Sequence, residues 1–238
     1  MPQLIAMVIV VVAAMIYMFQ TFGGTGDKIE GIAQKTSVIT EINNIKNGLK
    51  LAARSEQIAI TSTTNQTTGV TTVTAANLKG LADLKYFAEQ INDQISNNSV
   101  SGMDDADNYV KTNAYNAISF GGSDTTVGGM FISLVADKPN AIPGIYVSFN
   151  FKNSTLKDSA GFLESQIATD LKDVAYIDRN ALTPVSGSFT AGTGRKTTTD
   201  TSSIAERTPQ DTASSNGSDS DGKFIIYFKD FGSNEVVK

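Results

Sequence analysis

The chain has 238 residues, 40% of them apolar and 18% charged, against roughly 25% charged in an ordinary soluble domain. That is enough for one large domain or two small ones with a real core. With 19 basic and 24 acidic residues the formal charge is −5, which argues against nucleic acid as a partner. His and Cys are both absent. This excludes disulfides, thiolate nucleophiles and Cys-bound metals, and removes the commonest general base and metal ligand.

Residues 1–26 carry no Asp, Glu, Lys or Arg; the first charge is Asp27. Within them, residues 4–19 read LIAMVIVVVAAMIYMF, an unbroken apolar run. Taken as a helix, residues 1–22 would reach about 33 Å, enough to cross a bilayer core. Tyr17 and Phe19 sit toward one end, where interfacial aromatics belong. A secretory signal peptide would need a basic start and a small-residue cleavage site, and neither is present. A single-span anchor would carry flanking Lys or Arg, yet only three residues precede the run. A third reading explains the missing charge: Met1 is the first residue of a mature chain whose short basic leader has been removed, the alternative being that Met1 is the initiator of the full precursor.

Gly23, Gly24 and Gly26 then interrupt the helix, at roughly 1 kcal/mol each relative to Ala. Asp27 is placed to cap a second helical segment. There Ile29, Ile32, Thr36, Ile39, Ile42, Ile45, Leu49 and Ala52 recur every three or four residues, which lays an apolar stripe along one face. The segment ends near residues 56–60. A core helix of a globular domain would use the same stripe. The first segment, however, is apolar all round and needs an all-round apolar environment, such as a bilayer or a filament core.

On these residues the sequence resembles the type IV pilin superfamily. The match is about twenty apolar residues at the start, an amphipathic helical half that includes ITEINNIKNGLKLAA at 39–53, and a larger polar head. Met1 fits the longer b-type class. The resemblance covers residues 1 to about 60. It implies leader processing and N-terminal methylation at Met1. It also implies self-assembly through Met1, Gln3, Leu4, Ile5, Met7, Val8, Val11, Val12, Met15, Ile16 and Phe19. The partners it implies are identical copies in a helical filament, the membrane before assembly, and a prepilin peptidase with the pilus assembly machinery. Two features depart from the bacterial pattern. Ile5 stands where a Glu usually pairs with a neighbour's N-terminal amine, leaving Gln3 as the nearest polar side chain, and an archaeal-type filament often lacks that Glu. The head has no disulfide to staple it.

Three segments follow: the filament-core helix at 1–26, the amphipathic helix at 27–59 and an α+β head at 60–238. Residues 60–74 read as a Thr-rich linker with edge-strand character from 70 to 74. Residues 75–96 place Leu81, Leu84, Ala88, Ile91 and Ile95 at helical spacing and predict one amphipathic helix. Residues 117–120, 130–136 and 145–151 predict strands. The last alternates Ile145, Val147, Phe149 and Phe151 with Tyr146, Ser148 and Asn150, as in a half-buried strand. Residues 159–174 predict a helix through Phe162, Ile167 and Leu171. Residues 185–222 are rich in Ser, Thr, Gly and Asp and read as surface loops with short strands. Residues 224–228, FIIYF, predict a final strand that ties the chain end into an antiparallel sheet.

Site chemistry is sparse. Ser154-Thr155-Leu156-Lys157 matches S-x-x-K, which can pair a nucleophile with a base, but no companion motif follows and a Ser before a helix is an ordinary cap. No catalytic residue is assigned. Asp219 and Asp221 suggest half of a calcium loop, yet its first and twelfth positions would be Gly217 and Phe228, so no metal or cofactor is assigned. Asp104, Asp105 and Asp107 form another acidic cluster. Asn65, Asn97, Asn153 and Asn216 open N-x-[ST] matches. The reading that follows is a non-enzymatic pilin, the major subunit of an extracellular adhesive or motile filament. Its alternatives are a minor pilin or pseudopilin of a secretion or DNA-uptake system, and a single-span membrane-anchored binding protein.

Overall fold

The computed structural model describes residues 32–65, 72–96, 114–117, 129–151, 154–179, 181, 189–191, 195–196, 203–204, 207–209 and 221–238. The chain divides into two units, 1–37 and 38–238. The first has residues 32–37 described, all helical. The filament-core helix predicted at 1–26 lies outside the described residues. Among those described, no helix is long and apolar enough to cross a membrane.

Residues 32–54 form helix α1. Val38, Ile42, Ile45, Leu49 and Ala52 step by four and three residues and are fully buried. At its start the buried face departs from the predicted stripe. Ile32 is 59% exposed and Thr36 is exposed, because three successive steps of three from Thr36 rotate the stripe about 180° away from Ile45. The helix closes on Glu56 in the left-handed region (φ 58°). There the Gln57 amide donates to the Ala52 carbonyl and the Glu56 amide to that of Ala53, the paired bonds of a Schellman end.

In the segment predicted as a linker with edge-strand character from 70 to 74, β2 (Thr72–Thr74) falls in that span and pairs antiparallel with an unpredicted strand, β1 (Thr63–Asn65). The single helix predicted at 75–96 is two helices, α2 (Leu78–Asp83) and α3 (Glu89–Ser96). Lys85 is left-handed (φ 63°), and the bonds Tyr86 N to Leu81 O and Lys85 N to Ala82 O terminate α2 in the same Schellman pattern. Asn92, 2% exposed, then fixes the turn by accepting from the Phe87 amide and donating to the Phe87 carbonyl.

Five antiparallel strands form the main sheet, in the order β3 (Ala114–Ala117), β4 (Met130–Val135), β5 (Gly144–Ser148), β11 (Lys223–Phe228) and β6 (Ala175–Asp178). The head is therefore α+β. Strand β3 precedes most of the predicted span 117–120, of which only Ala117 is described. A short 3-10 turn (Lys157–Ser159) leads into α4 (Ala160–Leu171). Phe162, placed in the core by the sequence, is 52% exposed, and Leu163 is buried instead. The steps Leu163, Ile167, Leu171 hold one face, whereas Phe162 lies about 140° from Ile167 around the helix. In the stretch predicted as loops with short strands, β7 (Phe189–Ala191) pairs with β10 (Arg207–Pro209), and β8 (Arg195–Lys196) with β9 (Ser203–Ile204).

Both faces of the sheet are covered. Ile132, Leu134, Ile145, Val147, Phe224 and Ile226 join one core cluster with the buried stripe of α1 and with Leu163 and Ile167 of α4. On the other face Phe131, Val135, Tyr146, Ile225 and Tyr227 pack with Phe151 and Ala181. Strand β5 is thus buried throughout, and the half-buried reading of its alternation does not hold. Of its second set of side chains, Tyr146 packs in the second cluster and Ser148 is buried between Phe131 and Lys223 of the flanking strands, where the sequence pattern implied water.

Candidate functional site

The predicted assembly residues, Met1, Gln3, Leu4, Ile5, Met7, Val8, Val11, Val12, Met15, Ile16 and Phe19, lie outside the described residues, as does Asp219. The described stretch nearest to them is α1, and two features decide how firmly it joins the head. Gly48 is the first. A β-carbon there would come within 2.3 Å of the Phe87 ring and 2.8 Å of the Tyr86 carbonyl oxygen, so the helix lies flush on the α2–α3 turn only because position 48 has no side chain.

The second is a clasp of charges. Lys46, Lys50 and Arg54 follow one another at intervals of four along one flank of α1, as helical geometry requires for neighbours on a face. Opposite them stands the C-terminal tail. Lys46 Nζ and Lys50 Nζ reach Asp230 Oδ2 at 2.9 and 3.2 Å, and Lys50 Nζ donates to the Asp230 carbonyl at 2.7 Å. Lys46 also lies 4.7 Å above the Phe228 ring centre, a cation–π contact. Arg54 binds Glu235, whose second oxygen accepts the Gly232 amide at 2.7 Å. Burial alone would raise the pKa of Asp230, but Lys46 and Lys50 outweigh it and hold the carboxyl below its usual range. At Glu235 burial is likewise outweighed, by the Gly232 amide, Arg54 and Lys50.

The tail itself is locked by backbone on both sides. The Lys238 amide donates to the Ile58 carbonyl and the Ile60 amide to the Lys238 carbonyl. On the other flank the Asn140 amide donates to Val237 and the Val237 amide to Ala141. Phe231, Val236 and Val237 are buried. The end of α1, the end of the chain and the turn after β4 thus form one bonded unit. Sequence reasoning missed this tail, because FGSNEVVK is too short to show a period.

It also missed a buried carboxylate. Glu164 is fully buried, with Oε1 accepting from Arg179 Nε at 2.8 Å and Oε2 from the Gly222 amide at 2.8 Å. Desolvation raises its pKa from 4.5 to about 6, against the opposing pull of Gly222 and Arg179. A signal was available: positions 160, 164, 167 and 171 share one face of α4, and the sequence puts a Glu among Ala, Ile and Leu there.

The other sequence candidates take structural parts. Ser154 donates its hydroxyl to the Gly129 carbonyl at 2.9 Å and accepts from the Leu156 amide at 3.2 Å, a local turn that engages both its donor and an acceptor lone pair. Asp221 accepts from the Lys223 amide at 2.9 Å. Among the described residues no group of three or more acidic side chains is arranged to hold a metal ion. Compared with known protein families, curated proteins and solved structures, the chain matches none.

Proposed function

We propose that the chain is a structural subunit of an extracellular type IV pilus-like filament, a pilin that assembles through an N-terminal apolar helix separated by Gly23–Gly26 from the helical segment that includes α1. The observation that carries this reading is a change of character along the sequence. Residues 4–19 are apolar without interruption, whereas α1 from Val38 onward is apolar on the one face that packs in the head. An all-round apolar segment demands an apolar surround, and a one-sided helix supplies the join to a globular domain. The charge clasp and the tail fasten that join, as a subunit under tension in a fibre requires. The α+β head then supplies the surface that the filament displays for attachment or motility.

The test is electron microscopy of material sheared from cells, with mass spectrometry of its main band. Fibres built of this chain, beginning at Met1 with or without a methyl group, are the expected outcome. A chain that extracts in detergent as a monomer, with no fibres in the sheared fraction, would identify a membrane-anchored binding protein instead.

A further inference from the structure

We propose that Glu164 is a proton-operated tie between α4 and the end of β6: on taking up a proton it lets go of Arg179 and keeps its bond from Gly222. The argument starts from the division of labour between its two oxygens. Oε1 is held by a cation and Oε2 by a neutral backbone amide. A neutral carboxyl still accepts a hydrogen bond from an amide through its carbonyl oxygen, whereas its attraction for a guanidinium depends on charge. The two partners therefore respond differently to one proton.

The surroundings favour this response. Glu164 is fully buried, so its charge is costly to keep. The Arg179 side chain is 28% exposed and has a route to water. Gly222 cannot follow it. Its φ is +79°, and its α-carbon lies so close to α4 that an added β-carbon would meet Ala160 at 2.5 Å.

The charged groups that bear on Glu164 are Arg179, from the end of β6, and Asp221, from the turn before β11. Strand alternation turns Asp178 and Lys223 to the other face of the sheet. On α4 itself the residues one turn away, Ala160, Gly161, Ile167 and Ala168, do not titrate. Burial brings the group's pKa to about 6, which places the change between neutral and mildly acid surroundings. Proton uptake thus loosens one end of β6 while the turn that feeds β11 stays fixed.

The test uses the full chain in detergent micelles, labelled with nitrogen-15 in arginine and glycine and with carbon-13 at glutamate carboxyls. Between about pH 7.5 and about pH 5 the Arg179 Nε–H resonance should move to the position of a solvated guanidinium, in step with the Glu164 carboxyl, with a midpoint near 6. The Gly222 amide should keep its hydrogen-bonded shift. E164Q should hold the Arg179 signal at its acid position at every pH. D221N should lower the midpoint, since the Asp221 charge raises it. An Arg179 signal that does not titrate in this range, or that titrates alike in E164Q, overturns the proposal. Should E164Q fail to fold, the wild-type carboxyl titration decides alone, and a Glu164 midpoint in the ordinary carboxylate range rejects it.

Discussion

Arg54 donates both its Nε–H, at 3.0 Å, and an Nη2–H, at 2.7 Å, to the same oxygen of Glu235, a residue 181 positions further along the chain. The two partners are unequal. The Arg54 side chain is 65% exposed and that of Glu235 is 8% exposed. Arg54→Ala removes a pair that water already screens and should cost less than about 1 kcal/mol. Glu235→Ala also strips the Gly232 amide of its acceptor and should cost about 2 kcal/mol. Denaturant melts of the two variants make the comparison, and equal losses would contradict this account.

Gly222→Ala should be among the most damaging single changes. It forces a side chain into the left-handed region and into Ala160, for roughly 2–4 kcal/mol together. Gly232→Ala is the control: its nearest neighbours, atoms of Glu235, begin at 3.5 Å, and its φ is ordinary. That change should cost under about 1 kcal/mol. Thermal unfolding followed by circular dichroism separates the two.

Stability should respond to acid in two opposite phases. The folded-state pKa of Glu164, about 6, lies above its ordinary 4.5, so the folded state binds that proton more tightly than the unfolded state does. Its contribution therefore grows as pH falls from about 6 to about 4.5, by up to about 2 kcal/mol. Asp230 and Glu235 are lowered. What they contribute is present above the ordinary carboxylate range and is lost as pH falls through their depressed values. The melting temperature should rise from neutral to about pH 4.5 and collapse below it. E164Q should lose the rise and keep the collapse. A steady fall from neutral pH downward in the wild type would be incompatible with a raised Glu164.

Deleting residues 1–26 removes the unbroken apolar run and leaves the buried stripe of α1, from Val38, with its head. The product should be soluble, folded and mostly monomeric by gel filtration and far-UV circular dichroism. Insoluble aggregate or a disordered spectrum would refute the division into an assembly segment and a head.

Assembly itself should rest on apolar packing, because Ile5 offers no carboxylate for an ion pair. Burying a Leu, Ile or Val side chain is worth roughly 1.5–3 kcal/mol, and an unpaired buried charge costs more than one such contact returns. Val10→Asp should abolish fibres and Ile5→Ala only weaken them. Salt should leave fibres intact, since screening acts on exposed charges, and detergent should dissolve them. Fibres that dissociate in molar salt but survive mild detergent would point to an electrostatic interface.

Much of the head was legible in the sequence where one local rule governed. The α+β class, the strands around 130–136, 145–151 and 224–228, and α4 follow from composition and period. Errors arose where the rule was tertiary. Lys85 and Glu56 adopt a left-handed conformation that no glycine announces. Strand β5 alternates as if one face were wet, yet its polar-looking set meets Phe131, Ile225 and Tyr227. Strand β6, AYID, is short and acquires its strand character from pairing with β11. The clasp was invisible because Asp230 and Glu235 are ordinary surface-type residues until the tail brings them against α1. Glu164 could have been read from its place on a core-facing stripe.

The position of β11 bears on how the protein is made. It is the last described strand in the sequence, yet it lies between β5 and β6 and pairs with both. During synthesis β3, β4 and β5 can pair as soon as they emerge, but the sheet then stops at an open β5 edge. That edge stays uncovered until residues 223–228 have been translated, some 75 positions after Ser148. Strand β6 is made in the meantime, and among the described residues its pairing partner is β11. A ribosome stalled anywhere in that interval would present a half-sheet with bare backbone and a displaced apolar face, the form that chaperones and proteases recognise. Closure of the sheet therefore waits on the end of β11, whose six residues cover the β5 edge and take up β6 together.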